Sequence, residues 1–149
     1  MLTYTSDIEV LDEEKFKWIC PGKATRPGYR EWKRRLVEAV QIFGRGYVNT
    51  AVVGGVEMAT PHGFVREEDG LRATLDEAEE LASQGVVTIS CVWVPNAGSV
   101  FHKQKAPSLE YFVLLAKGLD SIRRRHGLIV DMDSYRMCGN HPDTDLSRI

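Results

Sequence analysis

Glu9 and Glu57 are the acids placed best to do chemistry, because each sits in or just past an apolar, strand-like run. Glu9 lies within "DIEV", between the β-branched Ile8 and Val10. Glu57 closes "AVVGGVE", two residues beyond Gly55. Trp93, Pro95 and Asn96 follow a third run, and Asp131 and Asp133 end a fourth. Carboxylates at such ends can coordinate a cation or carry out acid–base work. Helix capping or solvent contact is the simpler account of Asp12 and Asp133. That account suits Glu9 less well, because its neighbours favour a pleated, half-buried surface.

The adjacent Gly54 and Gly55 raise a separate question. A phosphate-binding Walker loop needs a lysine and a glycine spacing that this stretch lacks. A dinucleotide fingerprint needs three spaced glycines opening a helix. Here Pro61 and Gly63 follow instead. A tight strand exit, where glycine avoids a steric cost, is the simpler account. The cysteines, Cys20, Cys91 and Cys138, are odd in number and widely spaced, so they form neither a disulfide framework nor a zinc ribbon. They also lack the close spacing of an iron–sulfur triplet. Cys138 and His141 offer two metal ligands where four are usual. Cys91 reads as a small core residue, and His102 and His126 as surface residues. Arg34 and Arg35 read as a solvated helix face, with the alternative that one of them turns to bind a carboxylate.

The elements that must position these residues alternate in type. Strands are predicted at residues 7–11, 47–53, 86–94 and 128–132, with a loop at 20–28 carrying two prolines and two glycines. Tyr29, Trp32, Leu36, Val40 and Phe43 form one helical stripe. Leu71, Leu75, Ala78, Leu81 and Ala82 form the next. Ser108 caps a third helix, at 109–125, with Leu109, Phe112, Ala116, Leu119 and Ile122 inward. The order β-α-β-α-β-α-β predicts an α/β fold with a parallel sheet and right-handed crossovers. A single domain over residues 1–149 is expected. It would be half of a TIM-type (βα) barrel or a small doubly wound sheet, and either fold binds ligands at the carboxyl ends of its strands.

Net charge is −2, from 19 basic and 21 acidic residues, which gives no footprint for nucleic acid. No apolar run reaches membrane-spanning length and no signal peptide opens the chain. A cytoplasmic protein without a membrane partner is therefore expected.

Taken together, "SDIEV", "CPGKATRPGYREWKRRL", "AVVGGVE" and "VVTISCVWVPNAGSVF" resemble the second half of the radical S-adenosylmethionine enzymes. The similar branch is that of biotin synthase, lipoyl synthase and the hydrogenase-maturation proteins. The resemblance implies that Glu9, with Asp7 beside it, contacts the ribose and amino end of S-adenosylmethionine. It implies that Arg35, or its neighbour Arg34, pairs with the cofactor carboxylate. Gly54, Gly55 and Glu57 would lie near the adenine, and Val92 and Trp93 would flank it. The glycines depart from the family's G-x-I-x-G-x-x-E-like spacing. The family's C-x-x-x-C-x-x-C motif, which ligates the [4Fe–4S] cluster, is missing. The chain would then supply cofactor and small-molecule substrate contacts, the cluster residing in a longer chain or a cluster-bearing N-terminal half. Alone it is expected to generate no radical, and its sheet edges favour a homo-oligomer. The alternatives are a non-catalytic, oligomerising binding module and a small α/β protein that binds phosphate or a nucleotide.

Overall fold

The computed structural model describes residues 3–128. The strand predicted at 128–132 falls outside them beyond Leu128, as do Asp131, Asp133, Cys138 and His141. Among the described residues three parallel strands form the sheet, in the order β1 (Tyr4–Thr5), β2 (Val48–Gly54), β3 (Val86–Val92). The β2–β3 ladder runs in register from Val48 opposite Val86 to Gly54 opposite Val92. Both strands are uncharged and mostly buried along their length, the polar Asn49, Thr50, Thr88 and Ser90 included.

Among the described residues five helices accompany the sheet: α1 (Glu13–Ile19), α2 (Pro21–Thr25), α3 (Tyr29–Phe43), α4 (Glu67–Ser83) and α5 (Leu109–Arg125). A single 3-10 turn, Val56–Met58, follows β2. The apolar stripe of α3 packs as its periodicity requires, with Tyr29, Leu36 and Val40 buried. In α4, Ala78, Leu81 and Ala82 turn inward. Ser108 caps α5 by accepting the Tyr111 N–H at 3.1 Å.

Neighbouring strands here are consecutive in the chain. With right-handed crossovers, that order places successive helices on one face of the sheet. A doubly wound sheet instead reverses direction at a switch point. The fold is thus α/β with a parallel sheet, and no closed barrel forms among the described residues.

Three sequence expectations need correction. Residues 7–11 do not form a regular strand: beyond β1 there is only an isolated bridge between Glu9 and Val52. Ile8, Val10 and Leu11 are all buried, but the left-handed backbone of Glu9 breaks the extended run between them. Residues 20–28 are not all loop. Pro21 opens α2 at a position where its missing N–H costs nothing, so proline starts a helix here instead of breaking one. Finally, Leu109 is 71% exposed, and the buried stripe of α5 begins at Tyr111 and runs through Phe112, Leu115, Ala116, Leu119 and Ile122. At about 100° per residue, Leu109 falls at the margin of that stripe.

Candidate functional site

A cleft of about 730 Å³ opens at the carboxyl edge of the sheet. Val53, Val56, Val92 and Trp93, from the ends of β2 and β3, give it apolar walls. Glu9, Lys23 and Asn96 bring its polar groups. A mostly apolar concavity with a few convergent polar side chains is the usual form of a small-molecule site.

Glu9 is held there in an uncommon conformation. Its φ is 73°, in the left-handed region, and it is the one non-glycine residue so placed among the described residues. Two backbone bonds fix it against β2: its N–H donates to Ala51 O at 3.0 Å, and its O accepts from Val53 N at 2.8 Å. A side chain other than glycine pays a steric cost in this region, and such outliers cluster at functional sites. The Glu9 carboxylate meets Lys23 Nζ at 2.6 Å. Lys23 also donates to Asp7 O at 2.7 Å and lies 4.7 Å from the Trp32 ring centroid. The result is a fixed pair of opposite charges at the cleft wall, each side chain about one-third exposed.

Cys20 lines the same cleft. Burial pushes its thiol pKa up and the nearby Glu9 charge adds to this, so it stays a neutral thiol and a poor nucleophile. Trp93 is buried, and its backbone N–H donates to Gly54 O at 3.0 Å, tying the exit of β3 to that of β2. Its ring packs edge-on against Phe101, 6.1 Å between centroids. The loop carrying Phe101 is clasped to the β2–α4 connection through Gln104. The Gln104 amide accepts the Thr60 N–H at 2.9 Å and returns a bond to Thr60 O at 2.9 Å.

Gly54, Gly55 and Glu57 are not among the residues that line the cleft. A Cβ on Gly54 would stand 2.5 Å from Leu115 Cδ2, so this glycine lets α5 approach the sheet. Gly55 has φ 100°, and a Cβ there would meet Pro107 at 3.0 Å. Glu57 is buried, and one of its carboxylate oxygens accepts the Gly55 N–H at 2.9 Å. Its other oxygen, Oε1, has no hydrogen-bond partner. Burial pushes the pKa up to about 7, outweighing the backbone N–H bonds that lower it. The Gly55 N–H that a phosphate cradle would need is therefore already taken by Glu57.

Arg35 lies apart from the cleft. It lines a separate crevice of about 130 Å³ with Tyr4, Ser6 and Trp32, and its Nε bonds Glu31 at 2.8 Å. Arg34 binds Glu31 as well, and both guanidiniums together hold the Glu31 carboxyl at about 2. Of the residues singled out from sequence, the structure thus brings Glu9, Val92 and Trp93 together at the cleft. It adds Lys23 and Cys20, which sequence reasoning left in a loop. The signal available for Lys23 was its charge in an otherwise uncharged "CPGKAT", 14 residues after Glu9. Elsewhere, His126 pairs with Glu79 at 2.6 Å, and His102 is exposed. Among the described residues no three His, Cys, Asp or Glu side chains converge as a metal-binding set, and no helix is long and apolar enough to cross a membrane.

No protein-family model matches the chain, and no solved structure does. Among curated proteins it is similar to bacteriochlorophyllide c C-7(1)-hydroxylase of Chlorobaculum limnaeum, with 28% identity over 108 residues. The matched segment is 72% of this chain, yet the chain covers only 24% of that relative's length.

Proposed function

We propose that the carboxyl-edge cleft binds S-adenosylmethionine, and that the chain is a radical S-adenosylmethionine-related piece lending cofactor and substrate contacts to a cluster held elsewhere. The observation that carries this reading is Glu9, locked in a left-handed conformation at the cleft with its carboxylate 2.6 Å from Lys23 Nζ. S-adenosylmethionine offers a cationic amino and sulfonium end, a carboxylate and a flat adenine. Glu9 suits the cationic end, Lys23 the carboxylate, and the Val53, Val92 and Trp93 walls the adenine. Arg35, on its own crevice, reaches the cofactor only if α3 repacks. The resemblance of the strand-end motifs and the distant similarity to a hydroxylase support the family. A [4Fe–4S] cluster, when present, supplies the electron that cleaves the cofactor. Its three thiolates have no counterpart among the described residues, where Cys20 and Cys91 are the cysteines. The cluster would come from a longer chain or from a partner, and the chain would pair with that partner or with itself.

Isothermal calorimetry with S-adenosylmethionine tests the reading. The unaltered chain should bind, and Glu9→Gln should lose about tenfold, the worth of a charge-assisted contact. Glu9→Gly should lose affinity equally while keeping its melting temperature, because relief of the left-handed cost of about 1–2 kcal/mol offsets the lost ion pair. Absence of binding, or equal affinity in all three chains, would refute the assignment.

A further inference from the structure

The parallel pairing that begins between β1 and β2 is interrupted before it reaches the cleft. Thr5 stands opposite Asn49, and the next paired residues are Glu9 and Val52. Between those pairs one side has three residues, Ser6, Asp7 and Ile8, and β2 has two, Thr50 and Ala51. The extra residue makes a bulge, a device that re-aims side chains and is over-represented beside active sites. It also interrupts the ladder, and a buried main-chain group left unpaired is costly. Side chains fill the gap. Thr50, fully buried, accepts the Ile8 N–H through Oγ1 at 3.0 Å and donates to Ser6 O at 2.9 Å. The Ala51 N–H, which a regular ladder would direct to a main-chain oxygen, donates to Asp7 Oδ1 at 3.1 Å. Asp7 O accepts from Lys23 Nζ at 2.7 Å.

The bulge decides where both charges of the cleft stand. A slip of one residue carries every later side chain to the other face of a sheet. Without the extra residue, the register of β1 would set Ile8 opposite Val52 and Glu9 opposite Val53. Asp7 is not among the residues that line the cleft, and its carboxylate is engaged by Ala51. We propose that Asp7 and Thr50 are positioning residues of the cleft: they contact no ligand, and they hold the bulge from which Glu9 meets Lys23. This role replaces the cofactor contact that the family resemblance implies for Asp7. It rests on the reading that the Glu9–Lys23 pair is the polar end of the ligand site.

Acetylation by acetic anhydride, followed lysine by lysine with mass spectrometry, reports on the Glu9–Lys23 pair with no ligand present. Asp7→Ala should raise the rate at Lys23 about fivefold, the release of one partly exposed ion pair. Asp7→Asn keeps an acceptor for Ala51 and should react as the unaltered chain does. Lys33, which bonds Glu77 and Glu80 at 2.7 Å each, should keep one rate in all three chains. Thr50→Val and Thr50→Ser should repeat the contrast, and they carry the test where Asp7→Ala does not fold. In calorimetry with S-adenosylmethionine, Asp7→Ala should bind about fivefold more weakly and Asp7→Asn as the unaltered chain. An unchanged rate at Lys23 in Asp7→Ala and Thr50→Val overturns the proposal. So does a rise at Lys33 equal to that at Lys23, the mark of a fold loosened throughout. So does an equal loss of affinity in Asp7→Asn, the mark of a carboxylate that meets the ligand itself. A chain that binds no S-adenosylmethionine yet shows the contrast at Lys23 refutes the ligand and supports the positioning role.

Discussion

A carboxylate that loses water without gaining a cation keeps its proton, and Glu57 is in that position. It is buried, with one oxygen on the Gly55 N–H and the other unpartnered. Its pKa stands at about 7, against 4.5 for the free group. The folded state therefore holds this proton more tightly than the unfolded chain does. The sign follows: below pH 4.5 Glu57 is protonated in both states and its titration leaves stability unchanged, and the retained proton erodes stability as pH rises from 4.5 to about 7. Across that window the loss is about 3 kcal/mol. Glu57→Gln keeps an acceptor for Gly55 and removes the titration. Urea unfolding should find the variant near the unaltered chain at pH 5 and more stable by about 2 kcal/mol at pH 8. Sequence marked Glu57 as unusual by its place after two glycines, but not which way it faces. Glu9 was legible for the same kind of reason, its β-branched neighbours. Its left-handed backbone was not, because that conformation is imposed by bonds to Ala51 and Val53, about 42–44 residues away.

At the scale of elements, glycine at the end of β2 is what lets α5 lie close. Gly54→Ala pushes a methyl against Leu115 Cδ2 at 2.5 Å. The change should cost about 1–3 kcal/mol, the usual penalty for overpacking. In a Leu115→Ala background the same change should cost almost nothing, a coupling that a denaturant double-mutant cycle would measure. The long helices were legible because a buried stripe repeats every turn in α3, α4 and α5 and leaves its period in the sequence. The β2 and β3 strands were legible because burial leaves uncharged runs rich in β-branched residues. The first two helices were not. The seven residues of α1 are too few to show a period, though Asp12 caps it by accepting the Lys15 N–H. The five residues of α2 hide behind a proline and a glycine that usually signal a break. Lys23 sits on that short helix, so the charge nearest Glu9 was the part of the site that sequence could not place.

At the scale of the whole molecule, the sequential strand order carries the most information. The three described strands are parallel and consecutive, and the cleft opens at their carboxyl edge, where parallel α/β sheets hold their ligands. The alternation of predicted elements anticipated the parallel sheet, since each crossover helix carries the chain back to start a parallel strand. Which side chains meet at that edge depended on loops, whose paths are set by contacts distant in sequence.

The Gln104–Thr60 clasp has a consequence for time as well as for shape. A side-chain amide that bonds both the N–H and the O of one residue stands in for a backbone partner, so the loop over the cleft is already ordered before anything enters. Capture then needs no slow closing step, and the observed association rate should rise linearly with ligand concentration. Stopped-flow tryptophan fluorescence with S-adenosylmethionine should show this as a single phase. Gln104→Ala should lower the slope and bend the plot toward a plateau, the sign of a conformational step before capture. The clasp would thus set how fast the cleft fills, separately from how tightly it holds.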